Sequence, residues 1–248
     1  MTEPDLPIVQ APRVPLDPKW IPSEPPPMPA TILGSFEELL RCPENLVNRA
    51  RAAERRREAG RLAAGAALAL VAYGLAAGFF QGGSQILVAG IKTPIIVLGS
   101  VLLCAPSLYV FAALAGADLS LGRFWTGIGG FLGLTSLLML GLLPVNWLFS
   151  VSSQSMWFIM LLHLAIWQTS LVFAYRFLRK TLFPQQSAKV LVLWTMLFLC
   201  VSYQVTTSLR PVLWRPAGTA VVDFRKKTFL DNWAESVSLA TPVEDLTR

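Results

Sequence analysis

Five long apolar runs dominate the pattern of hydrophobic and polar positions along this chain. They cover approximately residues 62–80, 93–115, 124–149, 156–176 and 188–208. Each run is close to the 20 or so residues that an α-helix needs to cross the apolar core of a bilayer. We therefore expect an all-α, polytopic integral membrane bundle of about five transmembrane helices, with residues 62–208 as its transmembrane domain.

Two shorter segments predict helices at the membrane surface. Residues 33–61 read as basic amphipathic helices, which usually lie in the interface beside a span, although a partner-binding helix is an alternative. Ser35 and Glu38 have the spacing of a capping box, so we expect a helix to start there, and Pro43 interrupts it. Residues 81–92 are too short to cross the bilayer and too apolar for a plain loop, and they predict an interfacial or re-entrant helix.

The two ends of the chain are polar. Residues 1–32 hold ten of the 18 prolines, many of them three apart, as in the threefold repeat of a polyproline II helix. This extended arm is either a disordered tail or a docking arm that lies along a partner subunit. In the second case the docking residues are Pro15, Pro18, Trp20, Pro22 and Pro25. Residues 209–248 are expected to form a soluble tail. Since the chain opens with polar residues, we expect the first span itself to direct membrane insertion.

The stretch "TSLRPVLWRP" at 207–216 predicts the anchor of the last span. Arg210 can extend to the headgroup layer while its aliphatic stem stays among apolar groups, and Pro211 ends the helix by restricting the residue before it. Trp214 suits the headgroup boundary, and Arg215 repeats the basic signal. A substrate clamp at these residues is the alternative, but no feature of the sequence marks a cavity there.

Charge sets the expected orientation. The net charge is +6, and the basic residues cluster beside the apolar runs, where they attract anionic lipid headgroups. No groove-reading motif accompanies them, so nucleic-acid binding is not expected. Seven arginines lie between residues 41 and 61, just before the first span, which places the N-terminus in the cytoplasm. Five spans then place the C-terminus outside, although basic residues in the tail argue the other way and a sixth, half-crossing element would reverse it.

His163 is the one residue of the spans that suggests a cofactor. It could be the axial ligand of a haem or a chlorophyll-type pigment, although a haem between two histidines is excluded because the chain has a single histidine. The alternative is a neutral imidazole hydrogen-bonded to a backbone carbonyl, Ser or Thr of a neighbouring helix. No Asp, Glu, Lys or Arg falls well inside a predicted span. Neither a nucleophile motif nor a metal-ligand motif occurs, so we expect no catalytic residue, no metal site and no enzyme.

Small and kinking residues indicate how the spans pack. Gly74 with Gly78, and Gly129 with Gly133, form GxxxG pairs that let helix backbones approach closely. Packing within the chain is favoured over packing between chains. Pro144 and Asn146 are expected to break the third span near its end, and kinks are the expected effect of Pro106 and Pro144. Pro106 frees a backbone carbonyl that Ser107 could help to satisfy, and a narrow polar path is a further interpretation.

The order of these features resembles the Yip1-type domain of small polytopic membrane proteins. The resemblance rests on "LLRCPENLVNRAR" before the first span and on "LYVFAALAGADLSLGRFWTGIGGFLGLTSLLMLGLLP" across the second and third spans. The tail resembles that of uncharacterised bacterial relatives. The resemblance covers residues 35–237, leaves out the proline arm, and implies five spans with the N-terminus inside. It also implies a role in membrane organisation and as a partner of other proteins, without catalytic residues.

Three functions are therefore weighed. The chain is expected to be a non-enzymatic scaffold or accessory subunit of a multi-protein complex in a bacterial inner membrane. The alternatives are a channel or carrier for a small neutral solute, and a subunit of an electron-transfer or photosynthetic assembly that binds its cofactor through His163.

Overall fold

The computed structural model describes residues 29, 31–48, 52–80, 82–117, 119–183 and 188–208. These residues form eight α-helices and no strand. The helices are α1 (Ile32–Arg41), α2 (Pro43–Asn48), α3 (Ala52–Gly78), α4 (Gln85–Leu114), α5 (Leu121–Gly141), α6 (Leu143–Ser152), α7 (Met156–Thr181) and α8 (Ala188–Ser208).

Five of the helices are long and apolar enough to span a membrane, which confirms the predicted class and the predicted number of candidate spans. They are α3, α4, α5, α7 and α8. The chain is therefore a multi-pass membrane protein. The proline-rich arm (except Pro29) and the C-terminal tail lie outside the described residues.

The helix that leads into the bundle begins earlier than expected. Thr31 is the N-cap of α1, and its hydroxyl accepts a hydrogen bond from the Gly34 amide at 3.1 Å. Ser35, predicted to be the cap, instead lies inside the helix and donates its hydroxyl to the Thr31 carbonyl. The capping-box prediction was therefore wrong by one turn. Thr31 has the same capping chemistry as Ser35 and lies nearer the preceding non-helical backbone.

The first span differs from the prediction because α3 continues through the basic segment. Residues 52–61 were expected to lie on the membrane surface, separate from the span, but one unbroken helix runs from Ala52 to Gly78. Ala, Arg and Glu are all strong helix formers, so nothing in this segment ends the hydrogen-bond ladder. Within α3, Glu58 is fully buried and forms an ion pair with Arg61 at 3.8 Å.

The second span is also longer than predicted, because its helix includes most of the segment before it. Most of the predicted interfacial helix at 81–92 is the first two turns of α4, which starts at Gln85 after a turn with Gly82 and Gly83 at positive φ. Lys92 is consequently a buried residue of this helix, 8% exposed, where the sequence predicted no lysine inside a span. The helix ends with Gly116 at φ +74°, a conformation that glycine adopts at little cost.

The third span is shorter than predicted and breaks at Leu142. The run expected at 124–149 becomes α5, ending at Gly141, and the separate short helix α6. Pro144 lies in the first turn of α6, where its missing N–H leaves no unmade hydrogen bond. A proline inside a continuous helix would instead clash with the carbonyl four residues earlier. Pro144 suits a helix start, but a proline alone does not enforce a break, because α4 runs unbroken through Pro94 and Pro106.

The packing places α5 at the centre of the bundle. It contacts α3 and α7 most extensively, and 67% of its most apolar segment is buried, compared with 28% for α7 and 22% for α8. The helix α3 packs between α5 and α4, and α8 packs mainly on α4. Trp194 of α8 donates its indole N–H to the Cys104 carbonyl of α4 at 3.0 Å, and its ring meets Phe131 of α5.

The basic residues collect at one end of the bundle. The start of α3 meets the start of α5, where the Thr126 hydroxyl donates to the Arg55 carbonyl at 3.3 Å. Near the end of α7, Lys180 forms an ion pair with Glu44 of α2 at 3.0 Å. The opposite end holds the α3–α4 turn, α6 and the α6–α7 turn, and the described residues from 142 to 155 carry no charged side chain.

Candidate functional site

His163, the predicted cofactor ligand, is bonded to a tyrosine of another span. Its Nδ1 lies 2.8 Å from the Tyr73 hydroxyl of α3, and the two rings meet edge to face at 5.7 Å between centroids. The sequence suggested a backbone carbonyl, Ser or Thr as the partner, and that expectation was wrong. The tyrosine hydroxyl reaches farther than a Ser or Thr side chain. It can therefore bond His163 from another helix and bridge α3 and α7.

The second ring nitrogen of His163, Nε2, is the atom that could bind a further group. It is buried and has no hydrogen-bond partner among the described residues. A phenol can donate to Nδ1 or accept from it, so the bond to Tyr73 fixes the ring orientation in either tautomer. The Tyr73–His163 pair therefore holds Nε2 in a set direction, where it can meet one further group.

Two buried polar residues lie on α6, the helix that packs on both α3 and α7. Asn146 is fully buried, and neither its amide nitrogen nor its amide oxygen has a partner within the described part of the chain. Ser150, one turn later, is 3% exposed and its hydroxyl is likewise without a partner there. Since α6 packs on both α3 and α7, we call Tyr73, Asn146, Ser150 and His163 the polar junction.

Sequence reasoning found only part of the polar junction. His163 and Asn146 were singled out, but Tyr73 and Ser150 were not. The available signal was the spacing of Asn146 and Ser150, which are four apart and so share one face of a helix whose other residues are mostly apolar. That signal was hidden because the segment was expected to continue the third span.

The predicted GxxxG pairs lie at helix contacts inside the chain. Gly74 and Gly78 face α4, and a Cβ added at Gly74 would come within 2.5 Å of the Ala89 carbonyl oxygen. Gly129 faces Ala59 of α3, and Gly133 lies beside Leu39 and Leu62. The first pair therefore forms the α3–α4 contact, and the second lies where α5 meets α3 and α1.

The remaining predicted site residues lie outside the described residues. They are the anchoring residues Arg210, Pro211, Trp214 and Arg215 and the docking residues Pro15, Pro18, Trp20, Pro22 and Pro25. One contact involves the edge of the arm, because Arg61 donates a hydrogen bond to the Pro29 carbonyl. Ser107, expected to satisfy a carbonyl freed by Pro106, donates instead to the Cys104 carbonyl at 2.8 Å.

The side of α7 that faces away from the bundle carries a second notable feature. Its exposed residues recur every three or four positions and form a continuous stripe, which we call the α7 outer stripe. They are Phe158, Leu161, Ala165, Thr169, Val172, Phe173 and Arg176. Ala165 and Thr169, the two smallest, lie four apart near the middle of the helix, so the stripe has a shallow, partly polar centre.

The comparisons with known proteins identify no relative. No family model, no curated protein and no solved structure matches this chain. The resemblance to the Yip1-type domain therefore stays a prediction from the sequence. Within the described ranges, no group of three His, Cys, Asp or Glu side chains is placed to hold a metal ion.

Proposed function

We propose that this protein is a non-enzymatic scaffold or accessory subunit of a multi-protein complex in a bacterial inner membrane, with a Yip1-like arrangement of spans. The observation that carries the proposal is the α7 outer stripe. Most of α7 is left uncovered by its own chain, and the centre of the uncovered side combines Ala165 with the hydroxyl of Thr169. Small and hydroxyl residues four apart are typical of contacts between transmembrane helices.

The outer side of α4 provides the contrast. It is also exposed, but its exposed residues are mostly bulky aliphatic side chains, which suit contact with lipid tails. They include Leu87, Ile91, Ile95, Leu102, Leu103 and Val110. A partner helix gains little from such a surface, because lipid tails are as apolar as leucine. The partner is therefore proposed to be a transmembrane helix of another subunit, seated on α7.

The orientation proposed for the chain has its basic end in the cytoplasm. The arginines at the start of α3 and the basic residues near the end of α7 lie at that end, in agreement with the positive-inside rule. Anionic headgroups of the inner leaflet are the proposed partners of the exposed members, such as Arg56 and Arg176. With five spans, the C-terminus lies outside.

Co-purification in mild detergent tests the function. Ala165→Leu fills the centre of the α7 outer stripe, while Ala113→Leu makes the same change on the exposed side of α4. We expect the unaltered chain and Ala113→Leu to carry the same membrane proteins, and Ala165→Leu to lose at least one of them. Identical sets of proteins from all three chains would contradict the proposal.

The proline arm is tested separately by a chain that lacks residues 1–32. If the arm docks on a partner subunit, this chain loses a protein that the full chain retains. If both chains carry the same proteins, the docking role of Pro15, Pro18, Trp20, Pro22 and Pro25 is excluded, while the role of α7 is unaffected.

Two alternatives are each favoured by one observation in the polar junction. Buried, unpartnered Asn146 favours a path for a small neutral solute, and flux into liposomes that is lost on altering Asn146 would support it. Unpartnered His163 Nε2 favours a haem or pigment ligand. A colourless preparation, from cells able to make those groups, would exclude the pigment.

A further inference from the structure

The polar junction contains several buried hydrogen-bonding atoms without partners among the described residues. Four buried side-chain atoms there lack partners in the described part of the chain: Asn146 Nδ2, Asn146 Oδ1, Ser150 Oγ and His163 Nε2. Native proteins pair the great majority of buried polar side-chain atoms, either with the protein or with ordered water. Four such atoms on two helices that pack together therefore point to a bound group that supplies the missing hydrogen bonds.

A short turn joins α6 and α7, the two helices that carry these atoms. Residues 153–155 join α6 to α7, and Phe149 packs against Phe158 with ring centroids 5.1 Å apart. Asn146 and His163 each lie within about two turns of that contact on their own helices. The opposite wall is α3, which packs on α6 and holds His163 through the Tyr73 hydroxyl.

The chemistry of the four atoms defines what they bind. The Asn146 amide needs an acceptor for its N–H groups and a donor for its oxygen, while a serine hydroxyl and an imidazole nitrogen can each take either role. Asn, Ser and Tyr carry no charge and each offers hydrogen bonds, so a neutral group that both donates and accepts hydrogen bonds suits the site. Water supplies donors and acceptors in every direction, and buried waters typically make about three hydrogen bonds to otherwise unsatisfied polar groups.

We propose that the polar junction binds ordered water, held by Asn146, Ser150 and Nε2 of His163, between α3, α6 and α7. The water joins the three helices through hydrogen bonds that their own side chains do not complete. It lies towards the end of the bundle that holds α6 and the α6–α7 turn.

Radiolytic footprinting of the full, unaltered protein tests the site directly. X-rays generate hydroxyl radicals from ordered water, and these oxidise the aromatic rings beside it. Tyr73 and Phe131 are both almost completely buried, 4% and 1% exposed, but only Tyr73 lies in the polar junction. We expect Tyr73 to be oxidised much faster than Phe131. Equal, slow oxidation of the two rings would overturn the proposal.

The direction in which Asn146→Leu shifts the melting temperature is an independent test of the proposal. If Asn146 holds water, leucine removes satisfied hydrogen bonds, so the melting temperature falls and the oxidation of Tyr73 slows. If the site is dry, leucine removes an unsatisfied amide and the melting temperature rises. A rise would overturn the proposal. Should the variant not fold, the footprint of the unaltered chain still decides.

Discussion

At the scale of single residues, the glycines show what a sequence motif can and cannot predict. The four-residue spacing of Gly74 and Gly78 was enough to predict a close helix approach, because a missing side chain lets backbones come together. It could not identify the helix that approaches. That requires the α3–α4 turn, which brings Ala89 and Thr93 against Gly74.

A matched pair of glycine substitutions tests these contacts. A Cβ at Gly74 would lie 2.5 Å from both the Ala89 carbonyl oxygen and Thr93 Oγ1, whereas a Cβ at Gly99 would meet nothing within 4 Å. We expect Gly74→Ala to lower the free energy of unfolding by about 1–3 kcal/mol through overpacking. Gly99→Ala should raise it by up to about 1 kcal/mol through helix propensity.

Unfolding of the two glycine variants in detergent, followed by circular dichroism, measures both changes. Each kcal/mol corresponds to a shift of roughly 2–4 °C in melting temperature for a chain of this size. Shifts of the same sign and size would show that Gly74 is not at a tight contact.

Only two of the four residues of the polar junction, Asn146 and His163, were singled out from the sequence. His163 stood out because an ionisable side chain in an apolar run is rare. Tyr73 and Ser150 did not, because no motif marks them, and only the folded chain shows that both are buried and that Tyr73 bonds to His163. Which polar residues meet is a property of helix packing, and a single helix pattern does not contain it.

At the scale of helices, the sequence predicted the apolar runs but not where the backbone ladder stops. Apolar residues mark where a helix can contact lipid, whereas helix ends depend on propensity, caps and prolines. Hence α3 continues through its arginines and α4 starts seven residues before Lys92. The break at Leu142 agrees with the prediction that Pro144 and Asn146 break the third span near its end, although that span was expected to run to residue 149.

The attachment of α8 gives a prediction at this scale. Trp194 bonds to the Cys104 carbonyl and stacks against Phe198, 5.4 Å between centroids. Trp194→Phe keeps an aromatic ring but loses the N–H and some volume, so we expect the free energy of unfolding to fall by about 1–3 kcal/mol. Trp147, 46% exposed on α6, is the control.

Denaturation of both tryptophan variants in mixed micelles measures the difference. Trp147→Phe should change the free energy of unfolding by less than about 0.5 kcal/mol, as is usual at an exposed site. If the two variants lose equal stability, Trp194 does not anchor α8 as the structure indicates.

At the scale of the whole molecule, five spans and one basic end make the proposed topology testable. The test uses a chain whose Cys42, Cys104 and Cys200 are replaced by alanine. Single cysteines at Gln154, Leu121 and Gly218 then show on which side of the membrane each of these positions lies. With an impermeant maleimide on intact cells, Gln154→Cys and Gly218→Cys should react, and Leu121→Cys should react only after permeabilisation. An unreactive Gly218→Cys would contradict the external C-terminus.

The central claim is that the α7 outer stripe contacts a helix of another membrane protein, while the outer side of α4 contacts lipid. A photoreactive benzoylphenylalanine at Val172 or at Leu103, 49% and 66% exposed, tests both surfaces in living cells. We predict that irradiation links the Val172 position to a protein and gives a discrete band of higher mass, while the Leu103 position gives no protein adduct. Protein adducts from neither position, or equally from both, would contradict the account.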